Sequence, residues 1–172
     1  PNTQILGESF YSQVPMLYGP YMAKVALFPI SPELAALTGE PIRTSGRPDA
    51  LRDSMRDFFR EGAGEWELRV QLCVDLDTMP IEDASVPWPE DQSPYIPVAR
   101  ITAGPQEAWN EARSEVVDGQ LSFSPWHGLA AHRPLGSVMR VRRQSYELSA
   151  GFRAEHNGCP MRHLRAPVEL PA

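Results

Sequence analysis

Proline decides most of what this chain can fold into. Its 172 residues include 18 prolines, about twice the usual share, and each fixes φ and removes a backbone donor. Thr38 to Pro48 and Pro80 to Pro97 are rich in them, which predicts long wrapping loops rather than tight connections. Against that background Val138 to about Glu155 stands apart, with no proline and a single glycine. It predicts the longest helix, with Ser137 as N-cap and HNGCP, carrying Gly158 and Pro160, as the stop.

Shorter elements show in the periodicity. In YGPYMAKVALFP, Tyr21, Ala23, Val25 and Leu27 alternate with Met22, Lys24, Ala26 and Phe28, a strand pattern ending at Pro29. In PDALRDSMRDFFREG, Leu51, Met55, Phe58 and Phe59 fall on one helical stripe, with Pro48 near the start and Gly62 at the stop. WELRVQLCVD puts Leu68, Val70, Leu72 and Val74 on one face of a strand and Arg69, Gln71, Cys73 and Asp75 on the other. YIPVARIT predicts another strand, where Pro97 requires an edge or a bulge. GPQEAWNEARSE suggests a short helix and QLSFSP a short strand. With 42% apolar residues, the length suits one domain with a real core.

The net charge of −6 argues against broad binding to nucleic acid or anionic membranes, which need a positive field. No apolar run reaches the roughly 20 residues of a membrane span, and no signal-peptide pattern opens the chain. Cys73 and Cys159 lie in no zinc or CxxC spacing and read as free thiols. A soluble protein of a reducing compartment is expected, cytoplasmic with the periplasm as alternative. The first residue is Pro1 rather than Met, which suggests a missing upstream part.

Positive charge is nonetheless concentrated: His132 to Arg153 holds five arginines and Tyr146. At about 100° per residue, Tyr146 lies about 40° around the helix from Arg142, and Arg153 only about 20° from Arg142 after three turns. Arg140 and Arg143 point elsewhere. Three groups along roughly 16 Å of one stripe suit a phenol presented to a ligand, a guanidinium supporting its oxygen, and another holding a distant anion. Solvated arginines paired with carboxylates such as Glu147, beside a rim tyrosine, would give the same spacing.

The chain resembles the catalase superfamily, in particular its shorter catalase-related haem peroxidases and the allene oxide synthase-like branch. YGPYMAKVALFP is similar to the family strand of type FGDYVAKF, and WELRVQLCVD to its strand in which a Trp precedes a Gln. VPWPEDQSPYIPVARIT resembles V-W-P…D-Y-P-x-I-P-V-G, and LSFSP resembles L-A-F-D/N-P. PWHGLAAHRPLG and Arg142-x-x-x-Tyr146 complete an ordered series over residues 18–157. The resemblance implies an α+β fold, a catalase-like antiparallel β-barrel with surrounding helices, to which this chain supplies the later strands and the proximal haem helix.

It also implies haem b as cofactor and Tyr146 as the axial iron ligand, bound as a phenolate. A phenol is an anionic ligand at neutral pH only where something stabilises its charge, and Arg142 would do so by hydrogen bonding. Arg153 matches a family arginine that pairs with a haem propionate. Phe123, Pro125 and His132 would shape the proximal pocket, His132 having a structural role in its turn as the alternative. The implied activity is cleavage of the O–O bond of hydrogen peroxide or an organic hydroperoxide, in a homo-oligomer.

Two departures qualify this picture. The catalase pattern Arg-x-Phe-x-Tyr-Pro has Gln144 at the Phe and Glu147 at the Pro, which favours the peroxidase-like branch and makes fatty-acid hydroperoxides credible substrates. None of His127, His132, His156 or His163 stands in the Val-Arg-x-Ser/Thr-His context of the distal catalytic histidine. The expectation is therefore that residues 1–172 form the C-terminal part of a single catalase-like haem domain, completed by an N-terminal part elsewhere. A non-catalytic haem-binding or haem-sensing module and a carrier of a lipid-like anion are the rival functions. Trp126, His127, Glu82 and Asp83 are candidates for an access channel, or for ordinary loop packing.

Overall fold

A computed structural model describes residues 2–158, 161–164 and 166–171; the expected stop at Pro160 and the thiol of Cys159 lie outside them. The strands are β1 (Phe10–Tyr11), β2 (Met16–Tyr18), β3 (Tyr21–Pro29), β4 (Gly64–Leu72), β5 (Ile96–Ala103), β6 (Leu121–Ser122) and β7 (Arg162–His163). The helices are α1 (Pro32–Ala35), α2 (Ala50–Glu61), α3 (Glu111–Ser114) and α4 (Gly136–His156), with a π-helical stretch over Glu115–Gln120. The α+β class is as expected.

β1, β3, β4 and β5 follow one another across a sheet, and β2 also pairs with β3. The β1–β3, β2–β3 and β4–β5 pairings are antiparallel. β2 and β3 form a hairpin closing at Tyr18↔Tyr21. Its two-residue turn has Gly19 at φ 61° followed by Pro20, the pattern of a II′ turn, where only glycine is unstrained at the first position. Pro97 meets both expectations for it: β5 is the outer strand, and pairing jumps from Leu68↔Ala99 to Arg69↔Pro97, leaving Val98 as the extra residue of a bulge.

Two compact units divide the chain. The first holds β1, Val25–Pro29 of β3, α1, α2, nearly all of β4, and β5. Its core is Leu34, Phe59 and Trp66, with Leu6, Leu27 and Phe58 packed around them. The buried face of α2 starts at Ala50, and Leu51, expected in the stripe, is 39% exposed. β4 ends three residues before the expected Asp75 because Asp75 begins a turn: its Oδ1 accepts from the Asp77 amide at 3.0 Å and its carbonyl from the Met79 amide at 2.9 Å. Val74 is left 62% exposed.

The second unit holds β2, Tyr21–Lys24 of β3, the segment from Leu72 to Pro94 and the described residues from Asn110 onward. The segment suggested as one helix from Gly104 is helical only from Glu111, where the Asn110 side chain caps the start by accepting from the Arg113 amide at 2.8 Å. α4 begins differently from the expectation: Leu135 is the N-cap and Ser137 lies inside the helix. Gly136 sits at φ 85°, and a Cβ there would come within 2.6 Å of the Ile81 carbonyl oxygen, so close approach to the loop fixes the start. The Ser137 hydroxyl donates to the Glu82 carbonyl at 2.9 Å instead of capping.

Candidate functional site

α4 carries the candidate residues in the order the spacing predicts. Arg142 Nη2 donates to Tyr146 Oη at 2.9 Å, with the guanidinium carbon 5.5 Å from the ring centre. The phenol oxygen accepts a charge-assisted hydrogen bond from a residue one helical turn away. Both side chains are half-buried. Arg140 and Arg143 leave this stripe: Arg140 grips both oxygens of Glu82 at 3.0 and 2.7 Å, and Arg143 reaches Glu147 at 3.4 Å.

Two clefts meet at Tyr146. One, about 400 Å³, is lined by Phe123, Pro125, Gly128 and Leu164 together with Ser122, Ser124 and His127, a size within the roughly 300–1,000 Å³ usual for small-molecule and cofactor sites. The other, about 170 Å³, is lined by Ser122, Ser124, Trp126, His127, Arg143 and His163 among others. The short parallel pairing of β6 with β7, Leu121↔Arg162 and Ser122↔His163, brings the C-terminal segment to this wall. Phe123, Pro125 and Tyr146 are thus brought together.

His132 is not among the residues of either cleft. It ends a 3₁₀ turn, Ala130–His132, and its ring stacks on Tyr18 at 6.0 Å and 8°. The neighbouring backbone holds the β2–β3 hairpin, with Gly19 N donating to Ala131 O at 3.0 Å and Leu17 N to Arg133 O at 2.8 Å. Arg153 donates to the carbonyl of Asp118, and Asn157 Nδ2 to that of Gly119 at 2.9 Å. The last turns of α4 thus hold the π-helical stretch that leads into β6.

The acidic loop is satisfied away from the clefts. Hydrogen bonds from Arg140 hold the Glu82 carboxyl below its ordinary range and keep the guanidinium charged, while the Ser85 hydroxyl, 2.6 Å away, does the same for Asp83. Among the described residues no group of three or more His, Cys, Asp or Glu side chains could hold a metal ion, and no helix is long and apolar enough to cross a membrane. Ser122 and His163 escaped the sequence reading, since only the pairing of strands distant in sequence makes them neighbours. The periodicity of QLSFSP pointed to β6 but not to its partner.

The fold is catalase-like. A fungal catalase matches with a TM-score of 0.64 and 18% identity, over 88% of this chain and 32% of that one. Catalase A from Saccharomyces cerevisiae matches with a TM-score of 0.63 and 18% identity, over 91% and 35%. The chain therefore spans about a third of the length of these catalases. No family model matches it, and no curated protein matches it in sequence.

Proposed function

We propose that this chain is the proximal part of a haem protein that breaks the O–O bond of hydrogen peroxide or an organic hydroperoxide, with Tyr146 as the axial ligand. The observation that carries the reading is the 2.9 Å bond from Arg142 to the phenol oxygen. The residues fit haem b: an oxygen donor already supported by a cation opens on a cleft of about 400 Å³ with Phe123, Pro125 and Leu164 on its walls. The likeness to catalases supports the same reading.

Haem, when bound, supplies the redox chemistry at iron. With haem bound, Tyr146 would hold the iron through its phenol oxygen, and Arg142 would support that oxygen by its hydrogen bond. Phe123, Pro125 and Leu164 would form the apolar wall beside the cofactor. Arg153 spends one of its five N–H groups on the Asp118 carbonyl, which leaves donors for a carboxylate at the cofactor's edge. His132 secures the turn that follows Pro125 rather than facing the cofactor. The proton-transfer histidine of the opposite side belongs to the rest of the fold. The outer strand β5, with Ile96 44%, Val98 37% and Ile101 45% exposed, supports packing of that remainder against it.

Haemin titration followed in the visible region tests the reading. The wild-type chain binds stoichiometrically with a phenolate-type ferric spectrum, and Tyr146→Phe loses it; an unchanged spectrum in that variant rejects the ligand. Haem loading without peroxide turnover, even in the completed fold, points to the binding module instead.

A further inference from the structure

The smaller cleft shares Ser122, Ser124, His127 and Tyr146 with the larger one, and further polar side chains line it. Trp126 lines it, and among the described residues its indole Nε1–H is buried without an acceptor. Buried N–H groups are nearly always paired, because leaving one unpaired forfeits its hydration. The Arg143 guanidinium lies 5.3 Å from the centre of the same indole ring. His127 and His163 meet there edge to face, 4.5 Å between ring centres, and Ser122 and Ser124 add hydroxyls.

Among the described residues only Glu147 brings a negative group to this wall, and it contacts Arg143 at 3.4 Å with both side chains exposed, 60% for Arg143 and 68% for Glu147. An exposed pair of this kind is weak and rearranges readily.

We infer that this cleft is a binding subsite for a small carboxylate, held by the Arg143 guanidinium and the Trp126 indole N–H. Its volume of about 170 Å³ suits an acetate- to benzoate-sized group. The carboxylate comes either from a free small acid or from a side chain of a porphyrin seated at Tyr146. Only the second source rests on the proposed haem function.

The test is a titration of the full chain with acetate and benzoate, read on the indole ¹H–¹⁵N resonances, with Trp126→Phe identifying the peak. A saturable shift of the Trp126 signal is expected while those of Trp66, Trp88 and Trp109 stay still. Arg143→Gln weakens binding about tenfold, as loss of a charge-assisted bond should, and Glu147→Gln strengthens it by removing the competing carboxylate. A Trp126 peak that does not move, or an affinity equal in both variants, overturns the inference. Added haemin separates the sources: displacement of acetate assigns the subsite to a porphyrin carboxylate, and retention assigns it to a free acid. Persistence of the acetate response in Tyr146→Phe shows that this subsite stands even if the axial ligand is misassigned.

Discussion

The two units of this chain differ in how far polar contacts supplement apolar burial. The first encloses Leu34, at 0% exposure, between Phe59 and Trp66, a conventional core whose worth scales with the apolar area it removes from water. The second, which carries Tyr146, also buries Met79, Trp88, Leu121 and Met139, and adds polar pins: Arg140 on Glu82, Lys24 on the Val86 carbonyl at 3.2 Å, and Arg153 and Asn157 on the π-helical stretch. Leu129, Val141, Leu148 and Phe152 in that unit are 68–74% exposed. Both units rest on apolar burial, and the second leaves its exposed large apolar side chains more open than the first does.

The contrast predicts a graded series. Leu34→Ala should cost about 2–5 kcal/mol, transfer and cavity together, seen as a lower urea midpoint, whereas Tyr146→Phe should stay within about 0.5 kcal/mol in the absence of cofactor. Gly136→Ala, forced into a left-handed conformation against Ile81, should cost about 2 kcal/mol and lower helicity by circular dichroism. Comparable losses from Leu34→Ala and Tyr146→Phe would erase the distinction between scaffold and site.

Smaller effects sharpen the picture. Arg142→Gln should weaken haemin binding about tenfold with little change in the melting temperature of the unloaded chain. The Glu82 carboxyl, held low by Arg140, contributes above the ordinary glutamate value of 4.5, and its contribution fades as pH falls through the lower folded value. Glu82→Gln should therefore flatten the acid limb of melting temperature against pH, slightly, and less in high salt.

How much of this was legible in the sequence depended on the range of the interaction. The Arg142–Tyr146 contact follows from four-residue helical spacing, and β3 from strict alternation, so both could be read locally. The Pro97 bulge was legible because proline lacks the donor a ladder needs. The partner of Arg153 was not, since it is a backbone carbonyl of a π-helical stretch with no side-chain signature. The start of α4 was misplaced at Ser137 because its determinant is the distant Ile81 carbonyl against Gly136. Strand β4 was read too long because Asp75 continues the alternation while its carboxylate organises a turn.

The central claim is that the Tyr146 oxygen is a metal ligand. Resonance Raman spectra of the haem-loaded chain, prepared with ring-deuterated tyrosine, test it directly. The account predicts iron-enhanced phenolate vibrations that shift on deuteration and vanish in Tyr146→Phe; an iron–ligand mode that ignores tyrosine labelling and moves instead with ¹⁵N-histidine would contradict it.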